Sequence, residues 1–567
     1  MYGNMSPPVA APQTFAKMIT ARTTDLHRRL LLIGWLAVIV IAALLRLWQI
    51  GLQVLIDDEW HALHAIQQLE FAQVFTSFGH ADYSIPLTLL LKWLGGHFGL
   101  TETMMLVLPL TFGVAGVVIA PWLTRHWLRP LELWLYAALV AISPLLIHFS
   151  RQARPYALAI PLSFAALMCL WHWRRQAHAG WAIAFVPCAV AAAWLHPLSL
   201  LITGSALIWI FGLTAIDAWR NRPVSSWLQQ LKMLLAVGVL TAAGCAALLL
   251  PPIWSDFASL ADKAGMHRIR LHTLASGWHL LVGTGLTPVA LGLAGLTLLG
   301  VVVMTRREPE LSACLGFVFF VTVIGLWLLS AAYIFHGLVL VRYGTGLILV
   351  VLMLAAVGLA AVLERVSKPL PERLRGPGAV MLGGIALVGL WYAGPLPTTY
   401  QGINQFTGHM LYQFDYRHQR NPYRRLLELE VPAFYQGIAA EPGDWELIEA
   451  PWYFEDTLNV LPVWQQVHQR PLRIGMITGL CAPWTHGEWA PDDEQLKLRR
   501  FIHLSEPLTA ADRGRFVVFQ LQHPFDYARR LHDTRRCVAS LEDRYGPAWY
   551  EDDNHIVFRL PPAGQVD

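Results

Sequence analysis

The sequence predicts a polytopic α-helical membrane protein with a C-terminal α/β domain on the outer side of the membrane. Three observations lead there. Hydrophobic residues make up 55% of the 567 and charged ones only 14%, with a mean hydropathy of +0.44, a balance that ordinary water-soluble chains do not show. The apolar residues gather into about eleven runs of membrane-crossing length, roughly 17–25 residues each. Beyond residue 396 the runs stop, and Asp, Glu, Arg and Gln return at the density of a soluble domain.

Residues 1–29 form an N-terminal tail without the small-residue cleavage site of a signal peptide, so the run from Leu30 reads as a retained span. The spans follow at 30–48, 104–123, 131–149, 156–173, 181–195, 198–216, 233–253, 285–304, 311–332, 339–363 and 379–392. One further run, Ile85–Phe98, is short and carries Lys92 in its middle. The distribution of basic residues decides its place. With the N-terminus (Arg22, Arg28, Arg29) cytoplasmic and this run lying along the outer surface, every short basic loop faces inward: Arg125 and Arg129, Arg174 and Arg175, Arg220 to Lys232, Arg306 and Arg307, and Arg365 to Arg375. If the run crosses, all of them turn outward. Ile85–Phe98 is therefore a juxtamembrane helix within a first outer loop spanning 49–103. Residues 30–396 form the membrane module, and 397–567 lie outside the cytoplasm.

That tail alternates strand-like runs at 445–449, 472–477, 515–521 and 555–560 with helix-like stretches such as 526–536, and has turn pairs such as Pro442-Gly443. A small α/β domain fits. Of six cysteines, Cys169, Cys188, Cys245 and Cys314 sit in apolar runs, where cysteine behaves as a small hydrophobe. Cys481 and Cys537 lie in the tail, where an oxidising compartment would let them pair. The net charge of +4 is spread over short loops, with no basic tract interleaved with aromatics, so nucleic acid is not an expected partner.

The threading collects chemistry on one face. Asp57, Asp58 and Glu59 emerge outside after the first span, followed in the same loop by His80, Asp82 and Tyr83. Arg151, Arg154 and Tyr156 lie at the outer end of the third span, His196 in the next outer turn, Lys263, His267, Arg268 and Arg270 in the loop at 255–283, and Arg342-Tyr343 in the last short one. Ionisable groups at membrane depth are costly, so they are paired or line a polar cavity. An acidic triplet beside a span is commonly a solvated loop, and an arginine at a helix end commonly snorkels. Yet Arg151, Arg154 and Arg342 break a positive-inside pattern that the other clusters obey. Carboxylates that can take a proton, facing guanidinium forks that can hold a phosphate, suit transfer of a group from a lipid phosphate. His61 and His64 near carboxylates could in principle bind a divalent metal, but no acidic partner at a reliable spacing supports one.

These residues resemble a known family. The order Asp58-Glu59, then Asp82-Tyr83-Ser84-Ile85-Pro86-Leu87, then Ser143-Pro144 leading to Ser150-Arg151-Gln152-Ala153-Arg154-Pro155-Tyr156-Ala157-Leu158, then His196-Pro197 and Arg342-Tyr343, is similar to that of the protein-mannosyltransferase-like and aminoarabinose-transferase-like bacterial members of the GT-C glycosyltransferases. The likeness covers about residues 30–363; the adjacent prolines common before the family's juxtamembrane helix are replaced here by Ile85-Pro86. It implies a GT-C-like fold in the inner (plasma) membrane and transfer of a sugar from a polyprenyl-phosphate-linked donor to a lipid, glycan or protein acceptor on the outer face. By that likeness Asp58 is the general base with Glu59 in support, Asp57 competing for the role. Arg154 with Tyr156 and Arg342 with Tyr343 hold the donor phosphate, with Arg151, His196, His80 and Asp82 around the same mouth. Two other classes fit the composition: a flippase of lipid-linked glycans, which would show inverted repeats and mid-membrane charges, and a non-catalytic membrane scaffold.

Overall fold

The computed structural model describes residues 25–48, 50–52, 59, 63–79, 83–220, 224–265, 267–397, 431–450, 461–477, 480–481, 501–506, 514–521 and 534–560. The chain divides into two compact units. The first holds the described residues of Met1–Ile50 and Glu70–Tyr400. The second holds those of Gly51–Leu69 together with those of Gln413–Asp567.

The first unit is helical throughout. Among the described residues nine helices are long and apolar enough to cross a membrane, the bent pair Pro130–Ile142 and Pro144–Ser150 adds one, and the shorter apolar helix Ala179–Leu195 is a further candidate. These coincide with the eleven runs read from the sequence. Ile85–Phe98 is a helix with those bounds, led by Pro86 and stopped at Gly99, whose φ of 79° ends the helix. At 1.5 Å per residue its 14 residues reach about 21 Å, short of a hydrocarbon core of about 30 Å.

Two runs that read as single spans are broken. The run at 131–149 bends by 57° at Ser143, because Pro144 cannot donate to the preceding turn and disfavours helical geometry at the residue before it. The run at 339–363 divides into Gly337–Tyr343 and Leu347–Val366. Between them lie Gly344, Thr345 at φ 30° and Gly346, where a Cβ would sit 3.1 Å from the backbone nitrogen of Phe164. Leu347–Val366, Tyr156–Gln176 and the bent pair Pro130–Ile142 and Pro144–Ser150 are well enclosed, while the peripheral spans expose Leu, Ile, Phe and Trp as lipid-facing helices do. Helices Thr287–Arg307 and Leu347–Val366 touch through backbone: a Cβ at Gly300 would lie 1.9 Å from the Leu354 carbonyl oxygen, and one at Gly358 1.9 Å from that of Leu296. Small residues at such crossings are how membrane helices gain close packing.

The second unit contains a six-stranded sheet of β1 (Glu446–Ala450), β2 (Leu472–Met476), β3 (Phe501–His503), β4 (Gly514–Gln520), β5 (Tyr550–Glu551) and β6 (His555–Arg559), in the order β3-β2-β1-β4-β6-β5. The β1–β2, β2–β3 and β1–β4 pairs are parallel; β4–β6 and β5–β6 are antiparallel. Both faces are covered. Ile448, Val517, Phe519 and Phe558 pack with Leu541 and Cys537 of helix Thr534–Tyr545. Leu447, Phe516, Val518 and Val557 pack with Phe434, Tyr435 and Ile438 of helix Ala433–Ala440 and with Trp464 of Leu461–His468. Side chains alternate across the pleat, so burial on both faces requires uninterrupted apolar runs such as Phe516–Phe519. The expected helix at 526–536 lies largely outside the described residues; helix Thr534–Tyr545 begins near its end. Cys481 and Cys537 form a disulfide.

Candidate active site

The third span ends in a turn built to present side chains. Helix Pro144–Ser150 stops at Arg151, the Arg154 N–H closes on the Gln152 carbonyl at 2.7 Å, and Pro155 starts helix Tyr156–Gln176. His196 caps the end of Ala179–Leu195 with extended backbone, and Pro197 at once starts a tight 3₁₀ turn. Arg342 lies in the last turn of the seven-residue helix Gly337–Tyr343, just before the Gly344 break.

These three sequence-distant places meet. The Arg342 guanidinium lies 5.6 Å from the ring centre of Tyr156 and 5.5 Å from that of Tyr343. The His196 ring is edge-on to Tyr156 at 5.8 Å and tilted against Tyr343 at 5.5 Å. The charges of both Arg342 and Arg154 act on His196. Arg154, Tyr156 and His196 are buried. Two guanidiniums, an imidazole and two phenols thus form one group. Planar guanidinium forks match the paired oxygens of a phosphate, and aromatic faces hold the guanidinium in orientation.

Arg151 is placed differently. It is fully buried, and its Nη1 donates to the carbonyls of Leu45, Arg46 and Trp48 at 3.4, 3.2 and 2.7 Å, capping the end of the first span. Of the remaining predicted residues, Asp57, Asp58, His80 and Asp82 lie outside the described residues. Glu59 is described, helical and buried, and belongs to the second unit.

Asp256 was not legible in the sequence. It accepts hydrogen bonds from the Ser77 hydroxyl at 2.6 Å and the Gly79 N–H at 2.9 Å, while the Tyr83 hydroxyl donates to the Ser259 carbonyl. Burial works to raise the pKa of Asp256, but the donors Gly79, Ser77 and Ser259 outweigh it and hold the carboxyl below its usual range. Lys263 stands 5.0 Å from the Tyr83 ring. Partial burial, then the charges of His267 and Arg342, lower the pKa of His336. A contact between groups 177 residues apart in sequence leaves no local signature. Among the described residues no group of three His, Cys, Asp or Glu could hold a metal.

No family model matches the chain, and no curated protein matches it. Solved structures do, and they show its fold. In particular it is similar to ArnT, the aminoarabinose transferase, from Cupriavidus metallidurans. To the apo state the TM-score is 0.51, and to the state bound to undecaprenyl phosphate 0.52; both share 12% identity and cover 93% of this chain and 98% of that one. The archaeal oligosaccharyltransferase AglB from Archaeoglobus fulgidus, in complex with an inhibitory peptide and a dolichol-phosphate, follows at a TM-score of 0.42 and 12% identity, covering 88% of this chain and 69% of that one.

Proposed function

We propose that the protein is a glycosyltransferase of the inner membrane that moves a sugar from a polyprenyl-phosphate carrier to an acceptor on the extracytoplasmic side. The observation that carries this is the meeting of Arg154, His196 and Arg342, from three separate turns, around Tyr156 and Tyr343. Such a set binds a phosphate and stabilises it as a leaving group. The fold likeness to ArnT, solved with undecaprenyl phosphate bound, supports the same reading.

In the proposed step the acceptor oxygen or nitrogen bonds to the anomeric carbon as the bond from that carbon to the phosphate oxygen breaks. Asp58 takes the acceptor proton, Glu59 supports it, Asp57 is the alternative base, and His80 and Asp82 line the same mouth. The electron pair leaves on the phosphate, held by Arg154 and Arg342, and a single displacement inverts the anomeric centre. The inward basic loops and the tail disulfide both favour a cytoplasmic N-terminus and a periplasmic tail. The acceptor is a lipid, glycan or protein nucleophile.

The test is incubation of the purified protein in vesicles with labelled polyprenyl-phosphate sugars. Release of polyprenyl phosphate in step with sugar transfer supports the reading; relocation of intact lipid indicates a flippase, and neither event indicates a scaffold. Asp58→Asn is expected to abolish transfer with insertion intact, and turnover at the wild-type rate in that variant removes the assignment of the base.

A further inference from the structure

The first span ends beside the broken one, and each contributes one arginine to the other's end. Arg46, in the last turn of Asp25–Leu47, is fully buried. Its Nη1 donates to the Ala141 carbonyl at 3.0 Å, its Nη2 to the Val140 carbonyl at 3.3 Å and its Nε to the Ser150 hydroxyl at 3.2 Å. Val140 and Ala141 close the helix that Pro144 interrupts, so their carbonyls have lost helical partners. Arg151, one residue beyond Ser150, returns the contact to the carbonyls of Leu45, Arg46 and Trp48. Two helix C-termini, each the negative end of a helix dipole, thus receive a guanidinium from the opposite helix. The third helix of the junction is shaped for it: at Gly113 a Cβ would stand 2.0 Å from the Ser150 hydroxyl and 3.3 Å from Arg46 Nε.

We infer that Arg46 and Arg151 are positioning residues, a reciprocal clasp that fixes the turn carrying Arg154 and Tyr156 against the end of the first span. The turn follows Arg151 directly; its own bonds, from the Gln152 N–H to the Phe149 carbonyl at 3.4 Å and from the Arg154 N–H to the Gln152 carbonyl at 2.7 Å, set its local shape but not its place against the first span. The clasp therefore decides where Arg154 and Tyr156 stand relative to Arg342 and His196. Its effect on turnover rests on the transferase reading above; its effect on the turn does not.

The experiment uses the full chain in nanodiscs, wild type against Arg46→Met, Arg46→Lys and Gly113→Ala. In Arg46→Met and Gly113→Ala, amide exchange over 151–158 is expected to speed up by about tenfold or more while that of β1 and β4 is unchanged. With labelled donor, kcat falls by about 10- to 100-fold while KM for the donor moves by less than about threefold, since geometry and not the phosphate ligands is lost. Arg46→Lys, which keeps the cation at the helix ends, restores part of kcat. Unchanged exchange in both disruptive variants overturns the clasp. Faster exchange with unchanged kcat, or a loss carried by KM alone, overturns the positioning role. Gly113→Ala keeps the inference falsifiable if Arg46→Met fails to insert. Wild-type protein that transfers nothing from any polyprenyl-phosphate sugar refutes the transferase reading, and the exchange data then decide on the clasp alone.

Discussion

Glu449 in the tail domain makes stability depend on pH in a window that can be isolated. It lies on β1, fully enclosed, with the Tyr435 hydroxyl donating to its Oε1. Burial pushes its carboxyl up from 4.5 to about 8, hydrogen bonds from Tyr435 and Gln520 offsetting part of the rise. Between those values the folded domain holds a proton that the unfolded chain has released, so stability falls as pH rises through the window. At about 1.4 kcal/mol per unit the full span is about 5 kcal/mol, and the part from pH 6.5 to 8, where the slope halves as Glu449 ionises, about 1.6 kcal/mol. His468 works the other way: burial, then the charge of Arg470, lowers it to about 4, so its contribution rises with pH up to 6.5 and is flat above. His555 is lowered too, by burial that outweighs its attraction to Asp552. From pH 6.5 to 8 the slope therefore belongs to Glu449. Hydrogen exchange of β1 and β4 in the full-length protein, corrected for intrinsic rates, is expected to show opening about 15-fold more frequent at pH 8 than at pH 6.5. Glu449→Gln removes the slope. A flat wild-type profile, or an equal slope in the glutamine variant, refutes the argument.

Other consequences are as direct. Arg342→Gln is expected to cut turnover by about 100-fold or more and weaken polyprenyl phosphate binding, measured by kinetics and by titration in nanodiscs, because it removes a fork from the Tyr156–His196–Tyr343 group. Cys481→Ser opens a loop of 56 residues and is expected to cost the tail domain about 4 kcal/mol, read from exchange at β4 with and without reductant. Gly358→Ala forces a methyl into the Leu296 carbonyl and is expected to lower the melting temperature in detergent, the overpacking costing about 1–3 kcal/mol.

The sequence was most legible where local chemistry decides the outcome. The juxtamembrane helix has the bounds predicted because Pro86 and Gly99 punctuate it. Four tail strands stand out as apolar runs, whereas β3 and β5, of three and two residues, are too short for alternation to register. The breaks at Ser143 and Thr345 fall inside continuous apolar runs, where hydropathy carries no trace of them, although the proline and the paired glycines do. Among the candidate residues Tyr156, His196, Arg342 and Tyr343, which come from separate turns, pack against one another. Arg151 looks identical in sequence yet faces backbone carbonyls, and Arg46 reads as an ordinary end-of-span cation. Charge placement predicts which side a residue emerges on; which partner it finds depends on packing that only the folded chain determines.

The aromatic flanking of Arg342 has a kinetic corollary. A long side chain that waits in many rotamers must be ordered when its ligand arrives, at about 0.5–1.5 kcal/mol for each such chain. Here Tyr156 and Tyr343 hold the guanidinium from two directions beforehand, so that ordering is completed during folding. Under the proposed function a donor phosphate would then meet a receptor already set in shape, its capture limited by diffusion through the bilayer rather than by rearrangement of the protein.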